Sequence, residues 1–295
     1  MSDASLSPTV APRRFLSSLA ELQWLGVAVI LVFLGVTFIA PLAKVLLLSV
    51  TGDDGGATLE NFRGLLATSS LRPVLLQTAV TSLEVTLACL VIGYPAAIYL
   101  SRLNGWRASL TSVAILFPFL TSSLVRTFVF IVLLGRNGVF NSALEWLGVP
   151  GAPFKLLFNQ IGVVIGMTYV LLPYMLLSLI GTMRKIDHTL LDAARSLGAS
   201  RARVFWTVYV PLSLPGVAAG AIITTILGFG YFVTPAMMGG PGERMIAQMV
   251  EQRILVMYDL PGAATISVVM LVIVLTTYAA AARWLGLSRL MRPQG

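Results

Sequence analysis

Long apolar blocks alternate with short polar segments along the whole of this 295-residue chain. Six blocks hold roughly 20 or more residues, enough to cross a hydrocarbon core of about 30 Å as α-helices. They predict spans over 24–50, 74–100, 110–135, 160–183, 216–239 and 263–285. A transmembrane barrel would instead show short segments of period two. Pro95, Pro118, Pro173 and Pro235 fall inside the spans, where a helix bundle tolerates kinks. The expected fold class is all-α integral membrane, with six transmembrane helices and no visible internal repeat. Ahead of the first span, residues 1–23 mix Arg13, Arg14 and Glu21 with Phe15, Leu16, Leu19 and Leu22, the pattern of a short interfacial helix. Residues 286–295 form a basic tail.

Composition sharpens this reading. The chain is 57% hydrophobic and 11% charged, against about 25% charged in soluble domains. Its net charge of +8 would suggest nucleic acid in a soluble protein. In a membrane protein it marks cytoplasmic loops. With six spans, both termini and the segments 101–108 and 184–215 share one side. That side carries Arg13, Arg14, Arg102, Arg107, Arg184, Lys185, Arg195, Arg201, Arg203, Arg283, Arg289 and Arg292. The other carries only Arg63, Arg72, Arg136, Lys155, Arg244 and Arg253. The imbalance predicts cytoplasmic termini. A lone Cys89 and a lone His188 give no disulfide framework and no Cys- or His-based metal cluster. Residues 1–20 are mixed in polarity and the first apolar block lacks a small-residue cleavage site, so no cleavable signal is expected.

One segment breaks the pattern: 184–215 is too long and too structured for a plain connection. Leu190, Ala194 and Leu197 recur at helical spacing. Gly198 is placed either to end that helix in a left-handed cap or to allow close approach of another backbone. A second helix through Val204, Phe205 and Val208 leads to Pro211 and Pro215, which are expected to stop or bend it. The prediction is a helix–Gly–helix hairpin on the cytoplasmic face, with an apolar stripe that needs a partner.

The run Asp192-Ala193-Ala194, three residues, Gly198, then Val208-x-Val210-Pro211 resembles the EAA motif of permease subunits of ATP-binding-cassette importers. Asp192 stands where the family has Glu, Val208 where it has Ile and Val210 where it has Leu. Gly93-Tyr94-Pro95, Pro118-Phe119 leading to Ser123-Leu124-Val125-Arg126, Leu144-x-Trp146-Leu147-Gly148, Leu172-Pro173-Tyr174-Met175 and Met237-Met238-Gly239-Gly240 resemble the spermidine/putrescine-type members. The resemblance implies a type I importer permease domain over 24–285 in a bacterial inner membrane. It implies that Asp192, Ala193, Ala194, Arg195, Leu197, Gly198 and Pro211 form a coupling helix that docks into a cytoplasmic ATPase. It further implies two ATPase copies, a second permease (a paralogue) and a periplasmic or extracellular solute-binding protein, with a polyamine or related cation as cargo. The chain has no G-x-x-x-x-G-K-[ST] loop. It is therefore expected to be no enzyme and to hold no cofactor, ATP and Mg being bound by the partner ATPase.

Two charges are expected inside the membrane, Glu84 and Arg126. Such groups usually face a bundle interior or a wet cavity. Either they pair with each other, or Glu84 faces the translocation path, or Glu84 contacts a partner permease; the sequence leaves all three open. Phe229, Tyr231 and Phe232 on the fifth span are candidates to line that path, where rings attract cations. Two other classes compete. An ion-gradient-driven secondary transporter would use Glu84 but leave the 184–215 hairpin unexplained, and the absence of an inverted repeat weighs against it. A membrane-embedded enzyme would need more His, Cys or paired carboxylates than this chain offers.

Overall fold

The computed structural model describes residue 24, residues 27–52 and residues 56–284. The expected interfacial helix and basic tail lie outside these residues. All regular elements described are helical. They are α1 (Val27–Ser49), α2 (Glu60–Ala67), α3 (Leu71–Ser101), α4 (Gly105–Leu120), α5 (Ser123–Leu134), α6 (Val139–Trp146), α7 (Gln160–Met183), α8 (His188–Ser196), α9 (Arg201–Phe229), α10 (Val233–Met238), α11 (Ile246–Leu255) and α12 (Leu260–Trp284).

Six stretches are long and apolar enough to cross a bilayer: α1, α3, Ser123–Trp146, α7, α9 and the first 22 residues of α12. The most apolar window of α1 buries no residue within the chain. Val29, Ile30, Leu31, Val32 and Phe33 are all well exposed. A helix apolar on every side and exposed over this window belongs in hydrocarbon, and only its later part packs, against α12.

The core is a three-helix unit of α3, α7 and α9. Val85, Cys89, Met167, Leu171, Met175 and Leu179 are buried there. Helices α3 and α7 run parallel. Gln77 and Gln160 meet near their starts, and Ser101 and Arg184 share a pocket near their ends. Helix α9 runs back between them, close enough that side chains must be small. A Cβ on Gly216 would lie 2.7 Å from Thr182, and one on Gly220 2.6 Å from Met175. This Gly-x-x-x-Gly face lets the backbones approach. Two cross-helix bonds fix the register: the Tyr94 hydroxyl and Ser213 Oγ at 2.8 Å, and Thr86 and Thr225 hydroxyls at 2.9 Å.

The structure corrects three expected helix boundaries. The span predicted over 110–135 is two helices in series, α4 and α5, interrupted at Thr121–Ser122. They run past α7 in the opposite direction, Phe119 against Tyr174 and Phe130 against Tyr169. The span predicted over 216–239 starts earlier and ends earlier. Helix α9 begins at Arg201 and stops at Phe229, and Gly230–Phe232 separates it from α10. Pro211 and Pro215 therefore lie inside a helix instead of stopping one. For Pro211 the reason is a five-residue π turn, Phe205–Tyr209, in which the Val210 N–H donates to the Phe205 carbonyl. The wider turn moves the preceding carbonyls away from the Pro211 ring, which would otherwise strike the carbonyl four residues back. Helix α1 repeats the device, with a π turn over Gly35–Ile39 just ahead of Pro41.

Candidate functional site

The hairpin at 184–209 is built by local hydrogen bonding. Asp187 caps α8, its carboxylate accepting from Thr189 N–H at 2.8 Å. That bond holds the Asp187 carboxyl below its usual range. At the other end, Gly198 N–H donates to Arg195 O at 2.9 Å and Ala199 N–H to Ala194 O at 3.2 Å. This is the Schellman arrangement, and it needs a left-handed residue after the cap. Gly198 supplies it at φ 84°. Ser200 then caps α9, accepting from Arg203 N–H.

Only part of the predicted apolar stripe faces inward. Leu191 is buried at 6% exposure, and Ala194 and Ala199 pack beside it against the bundle core. Leu190 is 50% exposed and Leu197 is 89% exposed. The sequence placed Leu190, Ala194 and Leu197 on one stripe. Helix α8 instead buries Leu191 and Ala194, and turns Leu190, Ala193 and Leu197 outward. Asp192 and Arg195 sit beside this outer face as an exposed ion pair at 3.0 Å. Pro211 stands apart, inside α9 and beyond the π turn. The expected coupling residues thus divide into an exposed tip (Asp192, Ala193, Arg195, Leu197), an inward anchor (Ala194), a cap (Gly198) and a helix-interior position (Pro211).

At the opposite end of the bundle lies an open cleft of about 1290 Å³. Its walls come from the start of α3, from α10 and the loop after it, and from α11. They include Gln77, Phe232, Arg244, Gln248, Glu251 and Arg253. Below it, a line of polar side chains continues into the bundle. Gln77 Nε2 donates to Gln160 Oε1 at 2.5 Å, and Gln160 Nε2 donates to Glu84 Oε2 at 2.6 Å. Thr81 Oγ1, fully buried, accepts from both amides at 3.2 and 3.0 Å. Gln77, Thr81 and Glu84 share one face of α3, at i, i+4 and i+7.

Glu84 and Arg126 do not pair. The guanidinium of Arg126 turns to the break between α4 and α5. There Nη2 donates to the carbonyls of Pro118 and of Thr121, the latter at 2.8 Å, and Nε and Nη2 reach the Thr121 hydroxyl. Its charge also stands 5.9 Å from the centroid of the Tyr169 ring. The physical cause is the interruption itself: the last carbonyls of α4 have no following turn to bond, and Arg126 supplies the donors.

The three aromatic candidates separate as well. Phe229 is buried in the bundle, Tyr231 reaches the Ser123 hydroxyl at 3.2 Å, and only Phe232 lines the cleft. Gln77, Thr81 and Gln160 were not singled out from sequence. The available signal was a pair of glutamines near the starts of the second and fourth spans, where amides are unusual.

The chain matches the family model for the binding-protein-dependent transport system inner membrane component over residues 89–287. It is 37% identical over 209 residues to the spermidine/putrescine transport system permease protein PotB of Escherichia coli (strain K12), covering 70% of this chain and 76% of that protein. It is 31% identical over 258 residues to PotB of Haemophilus influenzae, covering 84% and 88%. Its fold matches a chain of the bacterial alginate ABC transporter solved in complex with an alginate pentasaccharide-bound periplasmic protein. There the TM-score is 0.72 at 15% identity, over 89% of this chain and 94% of that one. The chain belongs to the family of inner-membrane components of binding-protein-dependent transport systems.

Proposed function

We propose that this permease imports a polyamine, or a related small organic cation, by alternating access driven from a separate cytoplasmic ATPase. The observation that carries the coupling role is the hairpin tip. Leu197 is 89% exposed on a helix held rigidly by a cap at each end. An ordered apolar tip is a surface made for a partner. In this reading the outer face of α8 docks in a groove of the ATPase, and Asp192 and Arg195 flank the contact. The hairpin end is cytoplasmic, in keeping with the excess of Lys and Arg there. The cleft at the other end receives cargo from a solute-binding protein. Two ATPases, each with ATP and Mg, and a second permease complete the assembly. Their closure moves the bundles as rigid bodies between inward- and outward-facing states.

The polyamine assignment rests on the two relatives named above and on the character of the route. Glu84 supplies negative charge below the cleft, and Phe232 offers a ring face to a cation. The test is copurification followed by uptake. The tagged chain should bring down an ATPase, and spermidine uptake into vesicles should stop when ATP is withdrawn. Gly198→Glu should insert normally and abolish uptake. Normal transport by that variant would refute the docking role.

A further inference from the structure

Glu84 lies 13 residues beyond Leu71 on α3, so about 20 Å along the helix. It is half-buried, and neither of the two ion pairs among the described residues includes it. A carboxylate at membrane depth is costly unless a cation or several donors compensate it. Here the compensation is one amide, Gln160 Nε2 at 2.6 Å. The arrangement is polarised along its length. Gln77 donates to the Gln160 oxygen, Gln160 donates to Glu84, and Thr81 accepts from both amides. Each amide turns its N–H groups toward the carboxylate end. The outer end is open, because Gln77 is itself a wall of the cleft.

We propose that Gln77, Thr81, Glu84 and Gln160 form a subsite for a primary ammonium group, in which the Gln160 amide holds the place that the cargo's nitrogen takes. The proposal rests on the reading of the cargo as a polyamine. The amide's bond to the carboxylate leaves the negative charge uncompensated, while an ammonium adds the attraction of an opposite unit charge to the hydrogen bond. An arriving ammonium therefore displaces Gln160 Nε2 from Glu84 Oε2. The freed amide keeps the Thr81 hydroxyl and the Gln77 amide as partners, so displacement strands no buried polar group. Gln77 is the first of these side chains that a cation entering from the cleft meets. Its carbonyl oxygen makes no bond within the protein network above and is an acceptor for the cation on the way in. The subsite takes one positive charge. It selects for a compact hydrogen-bonding ammonium over a neutral or anionic solute of similar length.

The test uses the full complex in proteoliposomes, with saturating loaded binding protein and radiolabelled spermidine or putrescine. Uptake and ATP hydrolysis are read together. Glu84→Gln is isosteric and removes the charge alone. Its uptake per ATP hydrolysed should fall about tenfold or more, while hydrolysis stimulated by loaded binding protein stays near wild type. A merely structural role would lower both rates and the yield of assembled complex. The exchange Glu84→Gln with Gln160→Glu returns a carboxylate to the network one position away, and should recover most of the lost uptake. Wild-type uptake per ATP in Glu84→Gln, or a double variant no better than the single one, overturns the subsite and leaves the cargo assignment standing. A wild-type complex that hydrolyses ATP yet imports neither polyamine overturns both.

Discussion

Replacing Gly198 with alanine isolates what the glycine does. No heavy atom lies within 4 Å of the place its Cβ would occupy, so the change meets no steric obstacle. What it meets is the backbone: φ is 84°, and a left-handed conformation costs an L-residue roughly 1–2 kcal/mol. That cost falls at the hairpin turn, which rests on the bundle core through Leu191, Ala194 and Ala199. The capped form, with Gly198 N–H on Arg195 O and Ala199 N–H on Ala194 O, should lose about 5- to 30-fold in population relative to uncapped alternatives. If that form is what the ATPase grips, uptake and ATPase capture should fall by a similar factor. The melting temperature of the purified chain should fall by only a few degrees, at about 2–4 °C per kcal/mol. Asparagine tolerates the left-handed region better than alanine, so Gly198→Asn should fall between wild type and Gly198→Ala. The assay is ATP-driven uptake in proteoliposomes, paired with pull-down of the ATPase. Alanine behaving as wild type in both, or asparagine proving worse than alanine, would refute the argument.

Other predictions concern what holds the bundle and the hairpin. Arg126→Leu leaves the carbonyls of Pro118 and Thr121 without their donor at membrane depth, at about 1–3 kcal/mol for each orphaned group. It should lower the melting temperature in detergent, and Arg126→Lys should recover part of the loss because an ammonium still donates. Gly216→Ala drives a Cβ to 2.7 Å from Thr182 and 3.1 Å from Ser178 O. This should destabilise the α7–α9 contact by about 1–3 kcal/mol, seen as reduced thermal stability and reduced yield of folded protein. The Asp187 cap should respond to acid. Its carboxyl is held below the usual range by Thr189 N–H, so the stabilisation is complete above the unfolded-state value and is lost as pH falls through the lower folded-state value. The protection factor of the Thr189 amide, its exchange rate against that of an unstructured peptide at the same pH, should therefore hold through neutral pH and fall under acidic conditions, while in Asp187→Ala it should be low throughout.

What the sequence revealed follows from how local each interaction is. The hairpin was legible because its signals lie within a few residues: the Asp192-Ala193-Ala194 run and a glycine where a helix must end, while the Asp187 cap emerged only from the structure. Its inward face was misjudged by one position, Leu191 for Leu190, because a short amphipathic helix carries too few turns to fix its phase. The spans were legible from hydropathy, but their interruptions were not. Pro118 and the Thr121-Ser122-Ser123 triplet stand at the break, but hydropathy does not record whether a carbonyl is bonded, so they read as a kink within one span. Arg126 was visible as an odd charge, yet its partner was sought on another helix when it lay five to eight residues back. The amide network was out of reach for the opposite reason. Gln77 and Gln160 are 83 positions apart, and no local pattern joins them.

The unbroken run of α9 has a mechanical consequence. From Arg201 to Phe229 it holds 29 residues in one helical run of about 44 Å, which contains the π turn, Pro211 and Pro215. One end is fixed to the hairpin tip through a single joint at Gly198, and the other stops at Gly230 beside Phe232 and the cleft. Such a rod is a lever. A tilt of only about 5° at the hairpin sweeps the far end by about 4 Å, on the order of one residue's width. Motion applied at the hairpin would reach the cleft through one helix, whose points of give are the π turn and the two prolines.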